Sequence, residues 1–167
     1  MKSILDQLDL NKKKVLLRLD LNVPLENTKI TDTTRIEKIL PTINHLLKNN
    51  SKIIILSHVG RPKGKVMNEL SLKPICEDLK KKLNVNIKLI TKDLKTINSK
   101  DLFNHVEDKI VMLENLRFYS EEEENNNEFA KHLASLGDIY VNDAFSCSHR
   151  AHASISEITK FLPSYSG

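Results

Sequence analysis

Arginine is the scarce cation of this chain. Of 26 basic residues only Arg18, Arg35, Arg61, Arg117 and Arg150 are arginine, and the other 21 are lysine. Lysine suffices where only a solvated positive charge is wanted. The planar guanidinium fork suits carboxylate or phosphate gripped through two bonds. Biased composition alone could leave the same tally, so the neighbours of each arginine matter. Asp20-Leu21-Asn22-Val23-Pro24 precedes Arg35, and Ser57-His58-Val59-Gly60 leads into Arg61. Glu114-Asn115-Leu116 leads into Arg117, and Arg150 lies between His149 and Ala151-His152. Such a set suits a small anion carrying phosphate, carboxylate or both, because mutual repulsion makes clustered cations costly without a counter-charge. Asp20 and Asn22 would supply acceptors for ligand hydroxyls. They would equally serve as turn formers ahead of Pro24.

Strands and helices must bring these residues together. Val15–Asp20 and Ile53–Ser57 read as strands, the second apolar enough for burial on both faces. Ile87–Ile90, Ile110–Leu113 and Ile139–Val141 read as three more. Between them, Ile36, Ile39, Leu40, Ile43, Leu46 and Leu47 follow a helical period, with Pro41 expected in the first turn. Ser71 is placed to cap a helix carrying Leu72, Ile75, Leu79 and Leu83. Phe129, Leu133 and Leu136 mark another, with Gly137 as its stop. Ile155, Ile158, Phe161 and Leu162 mark a short last one. Strand and helix in alternation predict a three-layer α/β/α domain, a Rossmann-like parallel sheet flanked by helices. In such sheets ligands bind beyond the carboxyl ends of the strands, which is where the arginine-bearing segments fall. Arg18 lies inside the first strand, where it either joins the basic surface or pairs with an internal acid. The run Glu121–Glu124 reads as a solvated helix start. His45, His105 and His132 read as surface residues.

Composition bounds the rest. The 167 residues make one domain, 40% hydrophobic and 29% charged, with no apolar run of membrane-spanning length and no signal-peptide core. Two cysteines suit a reducing, cytoplasmic setting. A net charge of +4 and 5% aromatics do not suggest a nucleic-acid surface. Only four glycines are present, and Gly60-Arg61-Pro62-Lys63-Gly64-Lys65 is one residue short of a Walker loop, with Val66 where a hydroxyl should follow. No nucleotide cradle is therefore expected. Cys147, His149 and His152 have a spacing that could ligate metal, but Arg150 stands between the histidines and a further ligand is wanting.

With these segments in order, the sequence resembles the N-terminal domain of phosphoglycerate kinases over nearly its whole length. The matching stretches are Arg18–Leu25, Thr34-Arg35-Ile36, Ser57–Gly64, Leu113–Phe118 and Val141–Phe145, the last leading into His149–Ser154. Ser146-Cys147-Ser148 departs from a Gly-Thr-Ala-like segment usual in the family. The resemblance implies that Asp20, Asn22, Arg35, His58, Gly60, Arg61, Arg117 and Arg150 bind 3-phosphoglycerate or 1,3-bisphosphoglycerate. His58, Arg61, Arg117 and Arg150 would take the 3-phosphate, and Asp20 and Asn22 the hydroxyl and carboxyl end. Arg35 would steady the transferring phosphoryl group, as the catalytic residue. Arg18, His149 and His152 would complete the basic surface. It further implies that Mg2+ with ADP or ATP is held by a C-terminal domain absent from residues 1–167. The isolated domain is then expected to be inactive, and the full enzyme a monomer with no nucleic-acid or membrane partner. A standalone module for small phosphorylated anions is the alternative.

Overall fold

The computed structural model describes residues 1–6, 9–27, 29–144 and 149–167. Seven strands form one sheet in which every neighbouring pair is parallel. They are β1 (Lys2–Ser3), β2 (Lys14–Leu19), β5 (Lys52–Leu56), β6 (Ile87–Ile90), β7 (Ile110–Leu113), β8 (Ile139–Asp143) and β9 (Ser164–Ser166), in spatial order β1-β9-β8-β2-β5-β7-β6. A two-stranded hairpin, β3 (Leu25–Glu26) with β4 (Lys29–Ile30), stands apart.

Side-chain alternation divides the sheet between two cores. Val15, Leu17 and Leu19 of β2, with Ile53 and Ile55 of β5, pack against α1 (Thr34–Lys48) and α2 (Lys73–Leu83). Leu16, Ile54, Val111 and Tyr140 face the other way, onto Phe129, Ala130 and Leu133 of α4 (Asn127–Ala134). A helix layer on each face explains why the strand runs are almost uninterruptedly apolar. The chain leaves β2 for β5 on one side and later returns to β8 on the other. The carboxyl ends of β2, β5, β7 and β8 therefore flank a point where strand order reverses.

Several expectations are corrected. Pro41 lies within α1 rather than in its first turn. The helix starts earlier because Asp32 accepts the Thr34 backbone N–H at 2.9 Å. Pro41 is exposed, so water can satisfy the backbone acceptor its missing N–H leaves. The last helix is a single 3-10 turn at Glu157–Lys160. Gly137 does not adopt a left-handed conformation. It is required because a Cβ there would lie 2.8 Å from Leu16 Cγ and 3.0 Å from the Lys14 carbonyl. His45 and His132 are half-buried rather than surface residues. The acidic run is not uniformly solvated either, since Glu122, in the short helix α3 (Ser120–Glu123), is fully buried.

Candidate anion-binding cleft

Four connections meet at the carboxyl end of the sheet. The segment after β2 carries Asp20 and Asn22, and α1 opens with Arg35 one residue inside its first turn. The loop after β5 carries His58, Gly60 and Arg61, and the 3-10 turn Leu116–Phe118 after β7 carries Arg117. Arg150 arrives from the segment after β8. Together these eight residues line one cleft of about 220 Å3. No lysine is among its lining residues.

Hydrogen bonds explain why distant segments hold this arrangement. Ser57 donates its hydroxyl to the Leu19 carbonyl at 2.8 Å and accepts the Leu21 N–H at 3.2 Å, locking β5 to the end of β2. Asn22 accepts the Gly60 N–H at 3.0 Å, and Gly64 donates its N–H to the Arg117 carbonyl at 3.0 Å. The Asn115 amide donates to the carbonyls of Val59 and Leu70 at 2.8 and 2.9 Å. Glu114 accepts the Leu72 N–H and the Ser71 hydroxyl at 2.8 and 2.7 Å. The 57–72 loop is thus tied down along its length. Gly60 and Gly64 both have positive φ, at 65° and 78°, the left-handed region open to glycine at little cost.

The charges around the cleft are unequal in exposure. Arg61 and Arg150 are exposed, and Arg117 and His58 are buried. Arg35 donates to Asp20 Oδ1 at 2.7 Å and to the Asn22 carbonyl at 3.2 Å. Burial, with Arg18, Arg117, His152 and Arg150 nearby, pushes the His58 imidazole down to about 2. At neutral pH it is an uncharged ring in a cationic wall. Burial also lowers His152.

Three sequence-predicted residues lie off this cleft. Arg18 is completely buried behind it, where its Nε donates to Ser154 Oγ at 2.9 Å and its Nη2 lies 3.9 Å from Glu122 Oε2. The placement on a basic surface is corrected. Alternation along β2 turns residue 18 to the same face as Leu16, into the core beside α3. Glu122 is the internal acid it meets. His149 is exposed and lines a neighbouring, larger cavity of about 470 Å3, shared with Arg150, Asn142 and Ile155. That cavity holds a single arginine and more apolar wall, so the cleft with four guanidiniums is the better anion site. His152 is only 9% exposed, and its buried Nδ1 has no hydrogen-bond partner. Cys147 and Ser146-Cys147-Ser148 lie outside the described residues. Among those described, no three metal-ligating side chains cluster. Ser57, Glu114, Asn115, Glu122 and Ser154 also organise the site. The sequence marks Ser57, Glu114, Asn115 and Ser154 only by proximity to the arginine-bearing segments, and Glu122 only as one of the acidic run.

A switch-point cleft walled by arginines and an imidazole, at the carboxyl end of an α/β sheet, has donors suited to a small phosphorylated or carboxylated anion. The phosphoglycerate kinase family model matches residues 5–167, and the chain belongs to that family. It is 52% identical over 168 residues to a phosphoglycerate kinase of Wolbachia pipientis subsp. Culex pipiens, covering 98% of this chain and 41% of that protein. The solved phosphoglycerate kinase of Coxiella burnetii superposes with a TM-score of 0.86 at 42% identity, over 98% of this chain and 40% of that one. That of Pyrococcus horikoshii OT3 gives 0.87 at 27% identity, over 100% and 42%. The chain thus spans about two-fifths of the length of these relatives.

Proposed function

We propose that this chain is the phosphoglycerate-binding domain of a two-domain phosphoglycerate kinase, acting in glycolysis. Its part is to hold 3-phosphoglycerate or 1,3-bisphosphoglycerate for reversible phosphoryl transfer with ADP. The convergence of Arg35, Arg61, Arg117, Arg150 and His58 on one cleft carries this reading. His58, Arg61, Arg117 and Arg150 grip the 3-phosphate. Asn22, whose Oδ1 is taken by Gly60, has its amide NH2 to offer the substrate's oxygens. Asp20 anchors Arg35 and accepts from the 2-hydroxyl. Arg35, half-exposed at the mouth, faces the carboxyl end and neutralises charge on the phosphoryl group in transfer. Phosphoryl transfer is accelerated mainly by positioning and charge neutralisation, which these groups supply without a covalent nucleophile.

The donor set does not fit Mg2+ with ADP or ATP. Guanidiniums repel a divalent cation, and the single lining carboxylate already pairs with Arg35. Nucleotide and metal therefore belong to a C-terminal domain of the longer protein, which is also this domain's structural partner, and the full enzyme is read as a cytoplasmic monomer. No helix among the described residues is long and apolar enough to cross a membrane. A standalone module for phosphorylated anions would use the same cleft.

Calorimetric titration of the 167-residue chain tests the reading: 3-phosphoglycerate binds, ATP does not, and Arg117→Met removes the binding. ATP binding in preference to 3-phosphoglycerate overturns it. The two-domain form is tested by activity, since robust phosphoryl transfer from ATP by this chain alone defeats it.

A further inference from the structure

Behind the cleft, Arg18 is held from every side. Its Nη1 donates to the Leu19 carbonyl at 2.6 Å and its Nε to Ser154 Oγ at 2.9 Å. Ser154 in turn donates its backbone N–H to Glu122 Oε1 at 2.7 Å and its hydroxyl to Glu122 Oε2. The remaining arm, Nη2, ends 2.9 Å from His58 Nδ1. A guanidinium has donors only, so the imidazole nitrogen facing it must accept. An imidazolium, or the neutral ring protonated on Nδ1, would set two N–H groups against each other. One form of His58 escapes that clash: the neutral ring with its proton on Nε2.

We propose that Arg18 is a positioning residue that fixes His58 as the neutral Nε2–H tautomer, with Ser154 and Glu122 holding the guanidinium in place. The cleft then meets an incoming phosphate with an imidazole N–H that is already in position and carries no charge. Its consequence for binding rests on the phosphoglycerate reading above, but the tautomer does not. The other groups facing the ring act in the same direction. Arg117 comes from the turn after β7, and Arg150 and His152 from the segment after β8, and all three lower the tendency of His58 to take a second proton. Of the anions around it, Glu122 from α3 is engaged by Ser154 and Arg18, and Asp20, which lines the same cleft, by Arg35. An anion entering a histidine site normally draws a proton onto the ring. With Nδ1 occupied by Arg18, binding proceeds without proton uptake at His58.

Long-range nitrogen–proton correlation spectra of the 15N-labelled 167-residue chain read the tautomer directly, with His58→Gln providing the assignment. The expected pattern has Nε2 protonated and Nδ1 bare, unchanged between about pH 7.5 and 5.5, the range in which an unperturbed imidazole changes its charge. A protonated Nδ1, or titration of His58 in that window, overturns the proposal. In Arg18→Gln the amide can donate or accept, so His58 becomes a mixture of the two neutral tautomers. An unchanged Nε2–H pattern in that folded variant overturns the role given to Arg18. Should the variant not fold, cross-peaks between the Arg18 guanidinium protons and the His58 ring in the native chain decide, and their absence overturns it. Added 3-phosphoglycerate separates the two readings. A chain with the Nε2–H pattern that ignores this ligand defeats the proposed function and leaves the tautomer assignment standing; binding with a titrating His58 does the reverse.

Discussion

Replacing Glu122 by glutamine keeps the side chain's shape and removes its charge, and the consequence follows from its surroundings. Both Glu122 and Arg18 have side chains with no solvent exposure. Removing one partner of a buried pair leaves the other charge uncompensated, at about 3–5 kcal/mol. The low end applies, because the direct separation is 3.9 Å and Ser154 stands between the two groups. A loss of about 3 kcal/mol in a chain of this length lowers the melting temperature by roughly 6–12 °C. The amide also turns a donor towards either the Ser154 N–H or the Arg18 fork, so relaxation cannot recover the acceptor at both. Calorimetry together with urea unfolding measures this. The double variant Arg18→Met with Glu122→Leu, which removes both charges, is expected to be less destabilised than Glu122→Gln, because no orphan charge remains. A Glu122→Gln stability within about 1 kcal/mol of native would refute the buried-pair argument.

Two further perturbations probe the cleft. His58 has its folded-state value depressed to about 2 from 6.5, so the unfolded chain takes up a proton that the folded chain refuses. The sign is that stability is full above about pH 6.5 and falls as pH drops through it, by about 1.4 kcal/mol per pH unit. The native chain should therefore lose about 2 kcal/mol more than His58→Gln between about pH 7 and 5, and a constant gap in urea midpoints would contradict a neutral His58. Gly60→Ala forces a positive φ on alanine and sets its Cβ 2.7 Å from Leu70 Cδ2. A destabilisation of about 1–3 kcal/mol and weaker 3-phosphoglycerate binding are expected. Native affinity by calorimetry would show that the Asn22–Gly60 contact does not shape the site.

The core strands were legible because burial on both faces writes itself as uninterrupted runs such as Ile53–Leu56, and their order of connection implied the sheet. The cleft was legible because ligand-binding segments follow strand ends, so residues far apart in sequence are assigned to one edge once the strands are recognised. What escaped has a common cause. β1 and β9 are two and three residues long and exist through backbone pairing, β1 with β9 and β9 with β8, which leaves almost no side-chain pattern. Glu122 sits in a run of four glutamates, and nothing in a row of identical residues tells which one faces inward. Pro41 was misplaced because a proline on the exposed face of a helix can leave its freed carbonyl to water, a circumstance that depends on the rest of the fold.

The use of arginine can now be argued as one design. Four of the five arginines line the cleft, and the fifth reaches it through His58. Lysine could not replace Arg18, because a single ammonium on a flexible stem cannot donate at once to Leu19, Ser154 and His58 in the fixed directions of a planar fork. The fork also limits the charge that the cleft must bear. A second proton on His58 would add a fifth cation to the wall, raising the repulsion between its members when no anion is bound. By holding the imidazole neutral, the buried arginine lets the site present one more hydrogen-bond donor without one more charge. Substrate binding can then tighten through that donor without the empty domain first having to carry another unpaired cation.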